Sequence, residues 1–285
     1  MYHTTFELQQ VQLNVMDLAG MSRFYQEVLG MAILNQTYQQ VVLGTVADQR
    51  PLLTLQRVEQ ENEPSYGLYH VAYLVSSRQA LGDFLRHIVH RQILIVGASD
   101  HGYSEAIYLE DPEGNGIEVY RDLPMNDWEV NQDGTIPGKT EEMDGRGVYE
   151  SGQLTPDQTY QLPSDTRIGH VHLSVQNSQA SAHWYQAVLG VQDKFSVPSG
   201  SWLSTGQYHH QIAVNQWAGS HLAKRQPGTA GLGQFSLQAN DDAIYQMIKQ
   251  QAVAHQAIVQ LDEQQMELVD PNGIRLIVLA PVPQK

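Results

Sequence analysis

Phe24-Tyr25-Gln26-Glu27-Val28-Leu29-Gly30-Met31 returns about 160 residues later as Trp184-Tyr185-Gln186-Ala187-Val188-Leu189-Gly190-Val191, and this long period decides the fold. Asp111-Pro112 returns as Asp270-Pro271 at nearly the same distance, so the two halves are copies of one plan. Each half divides again, because a β-reading segment followed by a helix-reading segment and further strands occurs four times. Helices are expected to begin near Asp17, Arg78, Ser178 and Asp241. In the first, Asp17 is an N-cap candidate, Leu18, Met21, Phe24, Tyr25, Val28 and Leu29 fall at helical spacing, and Gly30 stands at a natural C-cap position. The later stripes, such as Leu81, Phe84, Leu85, Ile88 and Val89, read as core. His87, His90, His183 and His255 lie on such segments or at their ends and are expected at the surface.

The repeat places an N-terminal half at 1–122 and a C-terminal half at 167–285. Between them 123–166 is polar, rich in Gly, Pro, Asp and Glu, and without a sustained period. It reads as a connection wrapping the surface, with room for a short strand or helical turn. The opening strands alternate. Val11, Leu13 and Val15 oppose Gln10, Gln12 and Asn14; Val171, Leu173 and Val175 oppose His170, His172 and Ser174; Phe235, Leu237 and Ala239 oppose Gln234, Ser236 and Gln238. One face packs on a helix and the other lines something polar. The expected class is therefore α+β, with cupped mixed sheets, helices outside and a concave polar face where a ligand site belongs.

Composition narrows the chemistry. Of the 285 residues 41% are hydrophobic, which makes the chain globular, and no apolar run approaches membrane length. Met1 to Gln10 has neither a basic start nor an apolar core, which predicts a cytoplasmic protein. Cysteine is absent, so any metal must be held by His, Asp or Glu. A formal charge of −15 opposes phosphate-backbone binding, and neither nucleic acid nor membrane is an expected partner.

The strongest chemical signal runs from His101 to Glu118. Asp111-Pro112-Glu113-Gly114 is turn chemistry, so Ala106 to Leu109 and Gly116 to Tyr120 read as a hairpin. On its second strand Glu118 and Tyr120 share one face, while Ile117 and Val119 share the other. Glu118 is either a solvated edge carboxylate or a ligand that needs partners elsewhere. Placed in register, the four opening strands put Gln10, His70, His170 and Gln234 at one equivalent position, and the two Asp-Pro hairpins put Glu118 and Ile277 at another.

This pattern resembles the vicinal oxygen chelate superfamily, which includes glyoxalases, bleomycin resistance proteins and extradiol dioxygenases. Its βαβββ modules hold a divalent metal at those strand positions. The His101 to Glu118 segment is similar to the signature of type I extradiol ring-cleavage dioxygenases, a histidine, an aliphatic-Tyr pair, Asp-Pro-x-Gly and then the ligand glutamate, with Ser99 as a departure. Tyr208-His209-His210-Gln211-Ile212-Ala213 resembles the strand carrying that family's acid-base histidine, which matches His210. Neither half holds a complete ligand set by itself. Pairing the second module with the third gives His70, Glu118 and His170, whereas the first and fourth keep Gln10, Gln234 and Ile277. The complete set implies pairing across the halves, a departure from those ring-cleavage enzymes that keep their ligands within one half.

The resemblance implies a catechol 2,3-dioxygenase-like enzyme of aromatic catabolism. Its metal is expected to be Fe(II), with Mn(II) or another divalent ion as the alternative, on His70, Glu118 and His170. His210 would move protons, and Tyr108 and His101 would hydrogen-bond the substrate or the metal shell. A small aromatic substrate and dioxygen are the implied partners, with a homodimer as an option. His172, on the face of His170, and His209 are expected in supporting roles. Two alternatives stand beside this: a glyoxalase-like or other metalloenzyme of the same superfamily, and a metal-free small-molecule or antibiotic-binding protein of the same fold. Glyoxalase I adds a fourth ligand, usually Glu, and Leu52 to Leu55 and Ile212 to Asn215 contain no carboxylate.

Overall fold

Four short polar side chains start the four helices of the repeat. Asp17, Ser77, Asn177 and Asp241 each accept the backbone N–H three residues on, at 2.8–3.1 Å, satisfying a donor that the first helical turn leaves unpaired. The computed structural model describes residues 3–60 and 63–282. Module 1 comprises β1 (Phe6–Val15), α1 (Leu18–Glu27), β2 (Ala32–Gln36), β3 (Gln40–Gly44) and β4 (Pro51–Arg57). Module 2 comprises β5 (Gly67–Leu74), α2 (Arg78–Arg91), β6 (Gly97–Asp100), β7 (Ser104–Glu110) and β8 (Gly116–Asp122). The connection carries a 3-10 turn (Met125–Asp127), β9 (Glu141–Glu142) and α3 (Gly145–Ser151). Module 3 is β10 (Arg167–Ser174), α4 (Ser178–Leu189), β11 (Gln192–Val197), β12 (Gly200–Ser204) and β13 (Ile212–Asn215). Module 4 is β14 (Gly231–Ala239), α5 (Asp242–Ala254), β15 (Ile258–Leu261), β16 (Gln265–Val269) and β17 (Arg275–Leu279). The chain is α+β, and among the described residues no helix is long and apolar enough to cross a membrane.

Each sheet draws on both sides of the connection. An eight-stranded sheet runs β15-β16-β17-β14-β1-β4-β3-β2, joining modules 1 and 4 through the antiparallel pair β1 and β14. A nine-stranded sheet runs β11-β12-β13-β10-β5-β8-β7-β6-β9, joining modules 2 and 3 through β5 and β10. The repeated sequence motifs then meet physically. Tyr25 donates its hydroxyl to Asp111 at 2.9 Å, and Tyr185 donates to Asp270 at 3.2 Å, all four residues being buried. Each aspartate also closes its own turn by accepting from backbone N–H groups and from Asn115 or Asn272. Tyr25→Phe removes one donor from a carboxylate that burial already pushes up. It is expected to lower stability by about 1–3 kcal/mol in urea unfolding, as is Tyr185→Phe.

A feature invisible in the alternation sets the site. In every opening strand one residue bulges out of the central ladder directly before the equivalent position: Gln9 before Gln10, Tyr69 before His70, Gly169 before His170 and Gly233 before Gln234. A bulge re-aims the side chain that follows it.

Three expectations are corrected. The connection is not confined to the surface: Trp128, Ile136, Met143, Val148, Tyr160 and Leu162 are buried, and single apolar residues spaced without a period left no sequence signal. Helix α1 stops before Gly30, with Val28 as its cap; Gly30 instead takes φ 65° and its carbonyl accepts from the Leu162 N–H where the connection returns. His87 is buried, bonded to the Glu27 carbonyl at 2.9 Å and stacked on Tyr160, and burial pushes its pKa down. The stacking partner belongs to the connection, so α2 alone could not reveal it.

Candidate metal centre and its cavity

The seam between β5 and β10 brings three ligand-type side chains together. Ala72 pairs with His170 on one side and with Glu118 on the other, and His70 lies two residues along the same strand. The small Ala72 side chain leaves room for its larger neighbours to converge. Gly116 faces His70 across the ladder because the Tyr69 bulge brings the Tyr69 carbonyl so close that a Cβ there would lie 2.1 Å from it. On that frame His70 Nε2 lies 2.9 Å and His170 Nε2 3.0 Å from Glu118 Oε2, and the two nitrogens are 3.2 Å apart.

Those edges fit a single ion. Ligand bonds of about 2.0–2.2 Å meeting at right angles place donor atoms roughly 3 Å apart, which is the facial arrangement of two histidines and one carboxylate. All three residues are buried, and they form the only such cluster of His, Asp and Glu among the described residues. Burial alone would push the Glu118 carboxyl up, but the imidazoles of His170 and His70 hold it well below the usual carboxylate range. Burial pushes His170 down to about 4 against the pull of Glu118, so its ring is neutral at neutral pH, as a metal ligand must be. The equivalent positions of the other sheet are Gln10, Gln234 and Ile277.

His70, Glu118, His170, His101, Tyr108 and His210 all line one cavity of about 330 Å³. His210 packs against His170, ring centroids 4.1 Å apart, and burial pushes its pKa well down. His101 Nε2 is 2.6 Å from the Tyr108 hydroxyl, and its Nδ1 is 2.8 Å from the Lys139 carbonyl. A carbonyl can only accept, so His101 carries its proton on Nδ1 and Nε2 accepts from the phenol. Burial, reinforced by Glu118, pushes the Tyr108 pKa well up and keeps it a phenol. His172 does not join the cluster; it pairs with His70 across the ladder and stands among Tyr69, Trp202 and Trp217.

Sequence reasoning missed several residues here. Tyr69, Trp202, Trp217 and Phe195 form the aromatic outer wall, and Gly138, Lys139 and Thr140 of the connection complete the rim. Tyr103, which lines the cavity, and Asp122, which does not, flank His209. Continuing the alternation from Glu118 and Tyr120 to Asp122 reaches one of them; no pattern in the sequence reaches the others.

Comparison with known proteins gives the same architecture a family. The model of the Glyoxalase/Bleomycin resistance protein/Dioxygenase superfamily matches residues 7–119. A curated Catechol-2,3-dioxygenase of Bacillus subtilis (strain 168) is 33% identical over 241 residues, covering 82% of this chain and 83% of that protein. The chain belongs to the glyoxalase/bleomycin resistance protein/dioxygenase superfamily. Solved structures agree on the superfamily fold: a protein of Bacillus subtilis subsp. subtilis str. 168 superposes with TM-score 0.64 at 15% identity, covering 99% of this chain and 87% of that one. Glyoxalase I from Zea mays superposes with TM-score 0.58 at 13% identity, covering 98% and 93%. Superfamily membership and the His-Glu-His cluster together support a dioxygenase or another metalloenzyme of this fold.

Proposed function

We propose that the protein is an extradiol ring-cleavage dioxygenase acting on a catechol-type aromatic, with Fe(II) held by His70, Glu118 and His170. The observation that carries this reading is the near-equilateral triangle of their ligand atoms, with edges of 2.9, 3.0 and 3.2 Å, opening into an aromatic-walled cavity. Three protein ligands leave ligand positions open, and bound Fe(II) supplies the redox chemistry that couples an aromatic diol to dioxygen. The chain's own residues do the rest. Tyr69, Trp202 and Trp217 offer apolar aromatic surface to a substrate ring and exclude water. His210, kept neutral by burial, accepts a proton from a substrate hydroxyl and returns it later. Tyr108, with its proton turned toward His101, offers an oxygen that accepts from the second hydroxyl. The Bacillus subtilis relative bears the name of this activity, which adds to the reading. A fourth ligand, the second carboxylate of glyoxalase type, has no counterpart on β4 or β13.

The test is anaerobic reconstitution with Fe(II), followed by oxygen uptake and ring-fission absorbance across a panel of catechols. Stoichiometric uptake with a yellow semialdehyde product is expected. Metal binding no better than that of His70→Ala, or turnover of a glutathione hemithioacetal with no oxygen uptake, overturns the reading.

A further inference from the structure

Beneath the cavity floor a second histidine and an aspartate stand in line behind His210. His209 Nε2 lies 2.8 Å from Asp122 Oδ1, and His209 Nδ1 lies 2.8 Å from His210 Nδ1. The His209 ring is almost wholly buried, Tyr103 stacking on it at 4.3 Å and 15° and Tyr208 packing at 4.1 Å, so its plane is fixed. Asp122 fixes one end of this line: a carboxylate only accepts, so His209 carries a proton on Nε2. In the inferred arrangement that is the only proton on the His209 ring, so its Nδ1 accepts from Nδ1–H of His210. With that nitrogen committed, His210 has Nε2 as the lone pair left for the cavity it lines.

We propose that Asp122 and His209 are positioning residues that hold His210 in the tautomer protonated on Nδ1, presenting its Nε2 lone pair to the substrate. The use His210 makes of that lone pair rests on the ring-cleavage reading, whereas the tautomer does not. The arrangement also fixes the ring's orientation. An imidazole anchored at Nδ1 to a buried, stacked neighbour cannot turn that nitrogen to the cavity without breaking a buried hydrogen bond. The role belongs to this chain's consecutive His209-His210 pair and to the alternation that puts Glu118, Tyr120 and Asp122 on one face of β8.

The experiment has two arms. In the full chain with Zn(II), which is diamagnetic, side-chain 15N–1H correlation spectra of labelled histidines report the tautomer, His210 being assigned by its loss in His210→Gln. A single Nδ1–H tautomer is expected in the wild-type chain and a mixed or Nε2–H state in His209→Phe, which keeps the stacking but removes both hydrogen bonds. His209→Gln, whose amide can donate to Asp122 and accept from His210, restores the wild-type pattern. In the Fe(II)-loaded enzyme His209→Phe is expected to lower kcat by about 10–100-fold with KM and metal content near wild type, and His209→Gln to recover most of the loss. If His209→Phe does not fold, Asp122→Ala carries both arms. A wild-type His210 protonated on Nε2, a tautomer unchanged in the variant, or an unchanged kcat overturns the proposal. Failure of ring cleavage with the tautomer pattern as expected overturns the functional reading alone.

Discussion

If Glu118 holds Fe(II) as proposed, Glu118→Gln is expected to give a folded chain that no longer retains the ion and has no measurable oxygen uptake with any catechol. The substitution keeps the shape of the side chain and removes the only anion among the three proposed ligands, and neutral imidazoles with a neutral amide would leave an ion's charge uncompensated. It also introduces an amide N–H₂ where one carboxylate oxygen now sits 2.9 and 3.0 Å from two imidazole nitrogens. The loss of Fe(II) affinity therefore exceeds the ~10–100-fold typical of changes outside the ligand shell. Competition against a chelator of known affinity measures it, with circular dichroism confirming the fold. Tight Fe(II) retention by the variant would show that Glu118 is not a ligand. His170→Ala is the companion measurement: it opens the other vertex of the same triangle, and a matching loss identifies a shared ion.

Much of this site is legible in the sequence because two periodicities reinforce each other. Alternation in the third opening strand assigns His170 to a polar face, and register among the four modules adds His70 and the counterparts Gln10 and Gln234, so the strand pairing that completes a candidate ligand set follows from counting. The Asp-Pro turns mark the hairpins whose second strands carry Glu118 and Ile277, and the caps Asp17 and Asp241 mark helix starts within one residue of those found. What stays hidden is geometry without composition. The four bulge residues Gln9, Tyr69, Gly169 and Gly233 share no single residue type, because a bulge is a property of the ladder between two strands, not of either one. The wall formed by Gly138 to Thr140 and the stacking of His87 on Tyr160 depend on where a 123–166 segment without periodicity returns to the domain. His209 illustrates the same limit. Strand alternation would turn it away from His210, but it precedes β13 and its Nδ1 lies 2.8 Å from that of His210, while Asp122 and Tyr103 meet it from module 2.

The bulge at Gly169 makes the second strong prediction, in which a residue with no ligand atom controls the proposed metal site. A Cβ built on Gly169 would lie 1.7 Å from the Tyr120 hydroxyl oxygen and 2.7 Å from its ring carbon, both impossible contacts. Tyr120 has little freedom to yield: it is fully buried, its hydroxyl shares a 2.6 Å hydrogen bond with that of Tyr208, and its ring packs against His170 at 5.0 Å. Gly169→Ala must therefore displace either the tyrosine or the strand, and displacement of β10 at this point carries His170 out of the triangle. Overpacking of this kind costs about 1–3 kcal/mol in stability, and the hydroxyl pair is lost with it. Fe(II) affinity is expected to fall although all three ligands remain. Combining Gly169→Ala with Tyr120→Phe removes the closest clash but leaves the ring carbon too near, so the double variant should regain part of the metal affinity while remaining below wild type. A double-mutant cycle read by chelator competition isolates that coupling. Additive losses would mean that the alanine acts on the fold at large, whereas partial rescue ties the glycine, through one tyrosine ring, to the placement of a single histidine.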